Sequence, residues 1–271
     1  MIDYRDKTAY IPGGSSGIGL AIAAGLAAKG AHIVLFARNE ERLRQAQADL
    51  STRTVSSAQC IAWRALDVTD PQRVTATMNE TIVSFGAPDI LIYCAGRSHP
   101  HYFADVTYEQ FDDVMQVNLY GCYNVIAALA PTMRQRGGHI VNVSSMAGFL
   151  GVFGFAAYSA AKFGIIGFSE SLRAEFKSDG VTVQVLCPPD VDTPMLAEEN
   201  KTKPAETKAI SAGAKVMTAD QVADDLLRNL GRPNFVILPG WEGKLTHLVK
   251  RLSPQLVELV LDYLARRGRR S

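Results

Sequence analysis

The residues best suited to chemistry are a tyrosine, a lysine and a serine near the middle of the chain. Tyr158 and Lys162 stand at positions i and i+4 of a helical pattern, so a phenol and an ammonium share one helix face. Ser145 ends an apolar, strand-like run before them. Both hydroxyl groups can hydrogen-bond an oxygen that gains negative charge, and the phenol can supply a proton. Since a free phenol has a pKa of about 10, we expect the Lys162 ammonium to lower it; the alternative is a core tyrosine beside a surface lysine.

A glycine-rich stretch, Pro12 to Gly19, lies between a strand pattern and a helix pattern. Its glycines permit a sharp turn and a close approach of the backbone to a pyrophosphate, and the helix N-terminus supplies N–H groups. We therefore expect a dinucleotide site here, a tight turn without a ligand being the alternative. The candidate binding residues are Gly13, Ser15, Ser16, Gly17, Ile18 and Gly19.

The end of the second predicted strand favours NADP(H) over NAD(H). An NAD site usually has an acidic residue there, whereas this chain has Arg38, which can bind a 2′-phosphate through two hydrogen bonds. Glu40 and Glu41 follow, and we assign them to the first turn of the next helix. Asp67, followed by Val68, is a candidate for binding the adenine amino group, with a helix-capping aspartate as the alternative.

Strand-length apolar runs alternate with helical patterns along the chain. The predicted strands are Thr8–Pro12, Ile33–Ala37, Cys60–Leu66, Ile90–Tyr93, His139–Val143, Val181–Cys187 and Phe235–Leu238. The predicted helices are Ile18–Lys29, Glu40–Leu50, Pro71–Phe85, Phe111–Arg134, Ala157–Lys177 and Ala219–Leu230. This order predicts an α/β fold, a doubly wound parallel sheet of the Rossmann type with helices on both faces. Its strand ends would bring Ser145 to the same side as the glycine-rich stretch.

Two segments stand outside this alternation. Residues 196–213 are polar and follow a strand end, where substrate lids are common, and we call them the lid. Residues 241–271 carry two amphipathic helical patterns, the second starting at Ser253 and Pro254. We therefore predict a single domain over residues 1–240 with a helical C-terminal extension over 241–271.

Composition narrows the function classes. The 271 residues are 47% hydrophobic and 20% charged with a net charge of +1, which is typical of a globular protein and does not indicate nucleic-acid binding. Cys60, Cys94, Cys122 and Cys187 have neither metal-ligand nor redox-motif spacing, so we expect reduced thiols, a cytoplasmic location and no metal site. The charged N-terminus does not resemble a secretory signal, and we expect no membrane-spanning segment.

Over residues 5–240 the chain resembles the short-chain dehydrogenase/reductase family. The family pattern T-G-x-x-x-G-x-G matches from Gly13, with Pro12 in place of threonine. The N-A-G element appears as Cys94-Ala95-Gly96, and the family asparagine matches Asn118. The P-G-x-x-x-T element appears from Pro188 to Thr193, with proline in place of glycine. Candidate cofactor contacts implied by these matches are Cys94, Ala95, Gly96, Pro188, Val191 and Thr193.

The resemblance implies roles for four catalytic residues. Ser145 and Tyr158 would hydrogen-bond a ketone oxygen, and Tyr158 would protonate it. Lys162 and the positive nicotinamide of the oxidised cofactor would lower the phenol pKa, and Lys162 would also bind the nicotinamide ribose. Asn118 would hold a water that links Lys162 to solvent. Thr193 would anchor the carboxamide. The family also implies a homodimer or homotetramer formed through the helices that contain Asn118 and Tyr158.

The apolar segment from Ala147 to Phe155 and the lid resemble the 3-ketodihydrosphingosine reductases within this family. That likeness implies reduction of 3-oxosphinganine to sphinganine in sphingolipid biosynthesis, with the apolar segment as a wall for a lipophilic substrate. The substrate amine would be cationic, and four carboxylates are candidates to bind it: Asp190, Asp192, Glu198 and Glu199. The alternatives are another lipophilic carbonyl, such as a 3-oxoacyl thioester or a steroid, and a non-catalytic NADP-binding sensor.

The C-terminal extension has the pattern of a basic amphipathic helix. Its apolar residues from Leu256 to Leu264 precede Arg266, Arg267, Arg269 and Arg270. This pattern predicts peripheral contact with an anionic membrane at the cytoplasmic face, and packing against a partner subunit is an equal alternative.

Overall fold

The computed structural model describes residues 2–269 and contains a central parallel sheet of seven strands. The strand order is β3-β2-β1-β4-β5-β6-β9. The bounds are β1 Thr8–Pro12, β2 His32–Ala37, β3 Ile61–Ala65, β4 Ile90–Tyr93, β5 Gly138–Val143, β6 Val181–Leu186 and β9 Val236–Ile237. Two short strands, β7 (Val191–Asp192) and β8 (Met217–Thr218), form a separate parallel pair. The predicted doubly wound α/β fold is confirmed.

Helices occupy both faces of the sheet. Those between the strands are α1 Gly17–Ala27, α2 Glu40–Ser51, α3 Pro71–Phe85, α4 Tyr108–Met115, α5 Gly121–Arg136, α6 Ala156–Phe176 and α9 Ala219–Asn229. The lid contains α7 (Pro194–Thr202) and α8 (Ala205–Ser211), and the C-terminal extension contains α10 (Gly240–Leu252) and α11 (Pro254–Gly268). Arg270 of the predicted basic end lies outside the described residues.

The predicted helix Phe111–Arg134 is wrong in two respects. It starts earlier, because Thr107 and Gln110 form a reciprocal capping box at the start of α4. It is also interrupted at Gln116–Tyr120 by a π-turn, in which the Gly121 N–H bonds to the Gln116 carbonyl one residue beyond the α-helical partner. Apolar periodicity predicts that a helix exists but not such a local change of winding.

The sheet is buried on both faces because successive strand residues alternate between two cores. Ile11 and Leu35 belong to the core on one face, whereas Tyr10 and Phe36 belong to the core on the other. All four are at most 1% exposed. This burial explains why the strands are continuous apolar runs in the sequence.

The strand order reverses between β1 and β4, which pair directly. At this point the Gly13 N–H donates to the Phe36 carbonyl, and the Cys94 N–H donates to the Pro12 carbonyl. The glycine-rich turn and the Cys94–Gly96 segment are thereby held together at the carboxyl edge of the sheet, where this fold class forms its ligand crevice.

The lid and the C-terminal extension are packed against each other. The Glu206 carboxylate of α8 is almost fully buried and accepts hydrogen bonds from the Tyr102 hydroxyl at 2.9 Å and the Arg269 Nε at 3.0 Å. A Cβ atom on Gly268 would lie 2.7 Å from the Glu206 Cα, so the two helices are in direct backbone contact. The Thr207 hydroxyl donates to the Phe153 carbonyl at 2.7 Å and ties the lid to the apolar segment.

Candidate active site

Lys162 is a buried ammonium at the carboxyl edge of the sheet. The residue is 4% exposed, and its Nζ donates to the Val143 carbonyl at 2.9 Å, at the end of β5. The same Nζ lies 5.3 Å from the centre of the Tyr158 ring. One helical turn of α6 therefore brings the ammonium and the phenol together, as their spacing predicts.

Ser145 lies two residues after the end of β5, within hydrogen-bonding reach of the Tyr158 phenol at the start of α6. Its Oγ accepts a hydrogen bond from the Ala147 N–H at 3.1 Å and begins a short 3₁₀ turn. The neighbouring Ser144 hydroxyl donates to the Lys162 carbonyl at 2.9 Å, which ties the strand end to α6. The Ala147 N–H and the neighbouring Ser144 contact thus hold the Ser145 hydroxyl beside the phenol.

Asn118 lies in the π-turn and is fully buried. Its Nδ2 donates to the carbonyls of Arg97 and Val114, both at 2.8 Å. Its Oδ1 has no hydrogen-bond partner among residues 2–269. A Cβ atom on Gly96 would lie 3.0 Å from this oxygen and 3.7 Å from the Lys162 Nζ, so both polar atoms face one small space beside Gly96.

Burial dominates the electrostatics of the pair. It raises the pKa of Tyr158 above its usual value, and the Glu199 charge raises that pKa further, while the Ser145 hydroxyl lowers it. Burial also lowers the pKa of Lys162 to about 8. The phenol pKa is therefore raised in the protein alone, since desolvation outweighs the favourable contacts. The lowering expected with an oxidised cofactor bound stays a prediction. The phenol retains its proton at neutral pH, as a proton donor must.

The glycine-rich turn has a shape that larger residues would fill. Gly13 has a φ of +83°, and a Cβ there would lie 2.4 Å from the Ala95 nitrogen. Gly17 has a φ of +53°, and its Cβ would lie 3.1 Å from the Thr193 Cγ2. The Ser16 side chain does not cap α1, and the first turn contains no acidic residue. The open helix N-terminus and the missing side chains fit a dinucleotide phosphate.

Arg38 and Asp67 lie next to each other at the carboxyl edge of the sheet, just after the ends of β2 and β3. Their closest charged atoms are 3.8 Å apart, and both side chains are substantially exposed. Asp67 accepts hydrogen bonds from the N–H and hydroxyl of Thr69, whereas Asp70 caps α3. The capping alternative for Asp67 is therefore wrong.

Other predicted cofactor contacts have definite structural positions. Glu40 and Glu41 occupy the first turn of α2, as predicted. Val68 is buried, and its carbonyl accepts from the Asn124 side chain. The Pro188 carbonyl accepts from the Met146 N–H, and Thr193 caps α7 through its hydroxyl.

Comparison with known proteins places this arrangement in a family. Residues 7–204 match the family described as short chain dehydrogenase. The chain belongs to this family. It is thus an oxidoreductase that acts on a ketone or alcohol group and uses a nicotinamide dinucleotide, which the glycine-rich turn and the space beside Gly96 fit.

Individual relatives extend the comparison. A 3-ketodihydrosphingosine reductase of Mus musculus is 40% identical over 235 residues, which cover 86% of this chain and 71% of the relative. A 3-dehydrosphinganine reductase of Danio rerio is 38% identical over 247 residues, covering 90% and 74%. A short chain dehydrogenase/reductase from Burkholderia phymatum, solved in complex with NAD, has a TM-score of 0.81 at 24% identity and 96% coverage of both chains. This last likeness shows the fold.

The roles of Lys203 and Glu206 are not predicted from the sequence. Lys203 is buried and forms ion pairs with Glu199 and Asp190. The i, i+4 spacing of Glu199 and Lys203 was available in the sequence, but their burial was not. Glu206 binds residues distant in sequence, so no local pattern indicates its role.

The expected absence of a metal site stays a prediction. His99 lies 3.0 Å from the Asp113 carboxylate, which also pairs with Arg97. Within residues 2–269 the structure shows no group of three or more side chains suited to hold a metal ion.

The lowered pKa of Lys162 predicts a cost in stability. Below about pH 8 the folded state carries the buried Lys162 charge, whereas the lysine of the unfolded chain titrates near 10.5. The loss of folding stability caused by this charge is therefore complete at neutral pH. It disappears as the pH rises from about 8 to 10.5. We expect Lys162→Met to raise the free energy of unfolding by about 1–3 kcal/mol at pH 7, after loss of the Val143 hydrogen bond is included, and to abolish activity.

Denaturant unfolding at pH 7 and pH 10 measures this effect. Lys29→Met, at an exposed lysine, is the matched control and should show no such gain. A Lys162→Met protein that is less stable than the parent at pH 7 would contradict the assigned burial cost.

Proposed function

We propose that this reductase converts 3-oxosphinganine to sphinganine with NADPH in sphingolipid biosynthesis. The substrate assignment is supported by its 38–40% identity to enzymes named for this ketone, over most of the chain. The chemistry is supported by one observation, the buried Lys162 ammonium held between the Val143 carbonyl and the Tyr158 ring.

Each catalytic residue has a role that its position allows. Bound NADPH supplies hydride to the ketone carbon. Ser145 and Tyr158 donate hydrogen bonds to the ketone oxygen, and the Tyr158 proton passes to that oxygen as negative charge develops. The Ser145 hydroxyl stabilises the resulting phenolate by a hydrogen bond, and the nearby Lys162 ammonium does so by its charge, so both reduce the cost of burying the negative charge.

The proton lost from Tyr158 returns through Lys162 and Asn118. The pKa of about 8 allows Lys162 to exchange a proton near neutral pH. The unpaired Asn118 Oδ1 and the Lys162 Nζ face the same space, where a water can bridge them and lead towards solvent. Lys162 also binds the nicotinamide ribose, and Thr193, opposite Gly17, binds the carboxamide.

Arg38 selects NADPH. Its guanidinium is half-exposed at the end of β2, and its nearest charged partner is Asp67 at 3.8 Å, too distant for a strong ion pair. A 2′-phosphate can therefore accept hydrogen bonds from two guanidinium N–H groups without breaking a strong ion pair. Asp67 would then be left to accept a hydrogen bond from the adenine amino group, and Val68 would be the apolar residue next to it.

The apolar segment provides a wall for the aliphatic chain. Leu150 and Phe155 are buried, while Phe149 and Phe153 are partly exposed. The Phe149 ring packs 4.7 Å from the ring of His247 in the C-terminal extension. The lid and the extension thus close this wall on two sides, which suits a long lipophilic ketone.

A panel of two ketones and two cofactors tests these assignments. We expect the parent to reduce 3-oxosphinganine faster than a 3-oxoacyl thioester and to prefer NADPH. Arg38→Gln should raise the KM for NADPH by about tenfold or more and leave the KM for NADH nearly unchanged, because it removes a charge-assisted bidentate contact.

Arg53→Gln, at an exposed arginine on the loop after α2, is the control and should change neither KM. Faster reduction of the thioester would overturn the substrate assignment. Preference of the parent for NADH would overturn the role of Arg38.

We also propose that the C-terminal extension contacts an anionic membrane at its cytoplasmic face. Residues 2–269 include no helix long and apolar enough to cross a bilayer. The extension does carry large exposed apolar side chains: Trp241, Leu245, Leu248, Leu252, Leu256, Leu259, Val260 and Tyr263. Basic residues such as Lys244, Arg251 and Arg266 accompany them.

Co-sedimentation with liposomes containing phosphatidylserine tests the membrane contact. Replacing Leu252 and Leu259 by glutamine should reduce binding, whereas Val83→Gln, at an 88% exposed valine on α3, should not. Equal binding by all three proteins would contradict the proposal and favour packing of this surface on a partner subunit.

A homodimer or homotetramer is proposed through α5 and α6. Tyr123 on α5 and Phe163 on α6 are exposed, as is Tyr120 in the preceding π-turn. Such a surface of aromatic residues is typical of a protein interface. The molar mass of the purified chain in solution measures the oligomeric state, and a monomer at micromolar concentration would contradict it.

A further inference from the structure

The proposed substrate carries its amine on the carbon next to the ketone. The ammonium must therefore occupy the same buried space as the carbonyl that Tyr158 protonates. A buried cation without a counter-charge is costly, so this substrate requires a carboxylate close to the tyrosine. The inference below rests on the proposed function, since it concerns how that substrate is selected.

Two of the four candidate carboxylates are directed to solvent. The Glu198 side chain is 72% exposed and pairs with Lys201, and Asp192 is exposed. Glu199, in contrast, is 8% exposed, and Asp190 is about one-third exposed. The negative charges of Glu199 and Asp190 both raise the pKa of Tyr158, Glu199 more strongly, as carboxylates close to a phenol do.

The buried ammonium of Lys203 pairs with both of these carboxylates. The Lys203 Nζ is 3.3 Å from Glu199 and 3.5 Å from Asp190, and its side chain is 2% exposed. Both distances exceed those of strong charge-assisted hydrogen bonds, which are about 2.7–2.9 Å. One positive and two negative charges leave the group with a net negative charge. A second cation bound to Glu199 would balance this charge, while Asp190 keeps its ion pair with Lys203.

Phe155 provides an independent feature that favours a cation here. Its ring centre is 5.7 Å from that of Tyr158 and 5.6 Å from the Lys203 Nζ. The ring thus adjoins both the proton donor and the buried ion pair, and aromatic faces attract ammonium groups. A cation that binds Glu199 in this place therefore gains both a counter-charge and an aromatic wall.

We propose that Glu199 binds the substrate ammonium while Tyr158 protonates the adjacent ketone oxygen. In the free protein Lys203 neutralises Glu199, and in the complex Lys203 stays paired with Asp190. Glu199 is then the residue that selects a 2-amino ketone over a ketone of equal length without the amine. No bond of the substrate changes at Glu199, so its effect is on recognition.

The test compares 3-oxosphinganine with its 2-deamino analogue of the same chain length, using NADPH and the full chain. We expect Glu199→Gln to lower kcat/KM for the amine substrate by about 10-fold to 100-fold, mainly through KM, because one charged hydrogen bond is lost. For the analogue, which has no ammonium to bind, the variant should lose much less kcat/KM than for the amine substrate. Glu198→Gln, one residue away and exposed, should change neither substrate.

If Glu199→Gln lowers kcat/KM equally for the two ketones, or for neither, the role of Glu199 is overturned while the proposed function stays intact. If the parent fails to reduce 3-oxosphinganine but reduces another ketone, both the role of Glu199 and the proposed function are overturned. If Glu199→Gln does not fold, the parent decides alone: a clear preference for the amine ketone supports the inference, and equal kcat/KM for the two ketones overturns it.

Discussion

The burial of the Lys162 ammonium against the Val143 carbonyl is the interaction on which the site depends. It joins the end of β5 to α6 and brings the ammonium under the Tyr158 ring. Holding a charge in this place is unfavourable, as the lowered pKa of Lys162 shows. In the proposed mechanism the same charge stabilises the phenolate during turnover, so stability would be lost where chemistry is gained.

The parallel sheet explains why such distant residues meet. The turn that bears Gly13, the Cys94–Gly96 segment and Ser145 each follow a strand, so they reach one edge. The substrate side is built differently. There the lid, the apolar segment and α11 are joined through Glu206, a buried carboxylate whose partners come from the loop after β4 and from the C-terminus. The proposed cofactor site thus depends on the sheet, and the proposed substrate site on packing between later segments.

Strand and helix positions were predictable because apolar periodicity and glycine placement report local structure directly. The Tyr158–Lys162 pair was predictable for the same reason, since its geometry is local to one helix. Three features were not predictable from the sequence: the π-turn at Asn118, the raised pKa of Tyr158 and the burial of Lys203. Each depends on what a residue contacts across the fold, and a sequence pattern contains no information on desolvation.

The role of Tyr158 as proton donor is the central claim, and the most direct measurement is turnover of Tyr158→Phe at saturating NADPH together with its NADPH affinity. The account predicts that kcat falls by about 10²–10⁴-fold while NADPH affinity stays close to that of the parent. Tyr108→Phe, at a 77% exposed tyrosine at the start of α4, should behave as the parent. Turnover near the parental rate in Tyr158→Phe, with cofactor affinity intact, would contradict it.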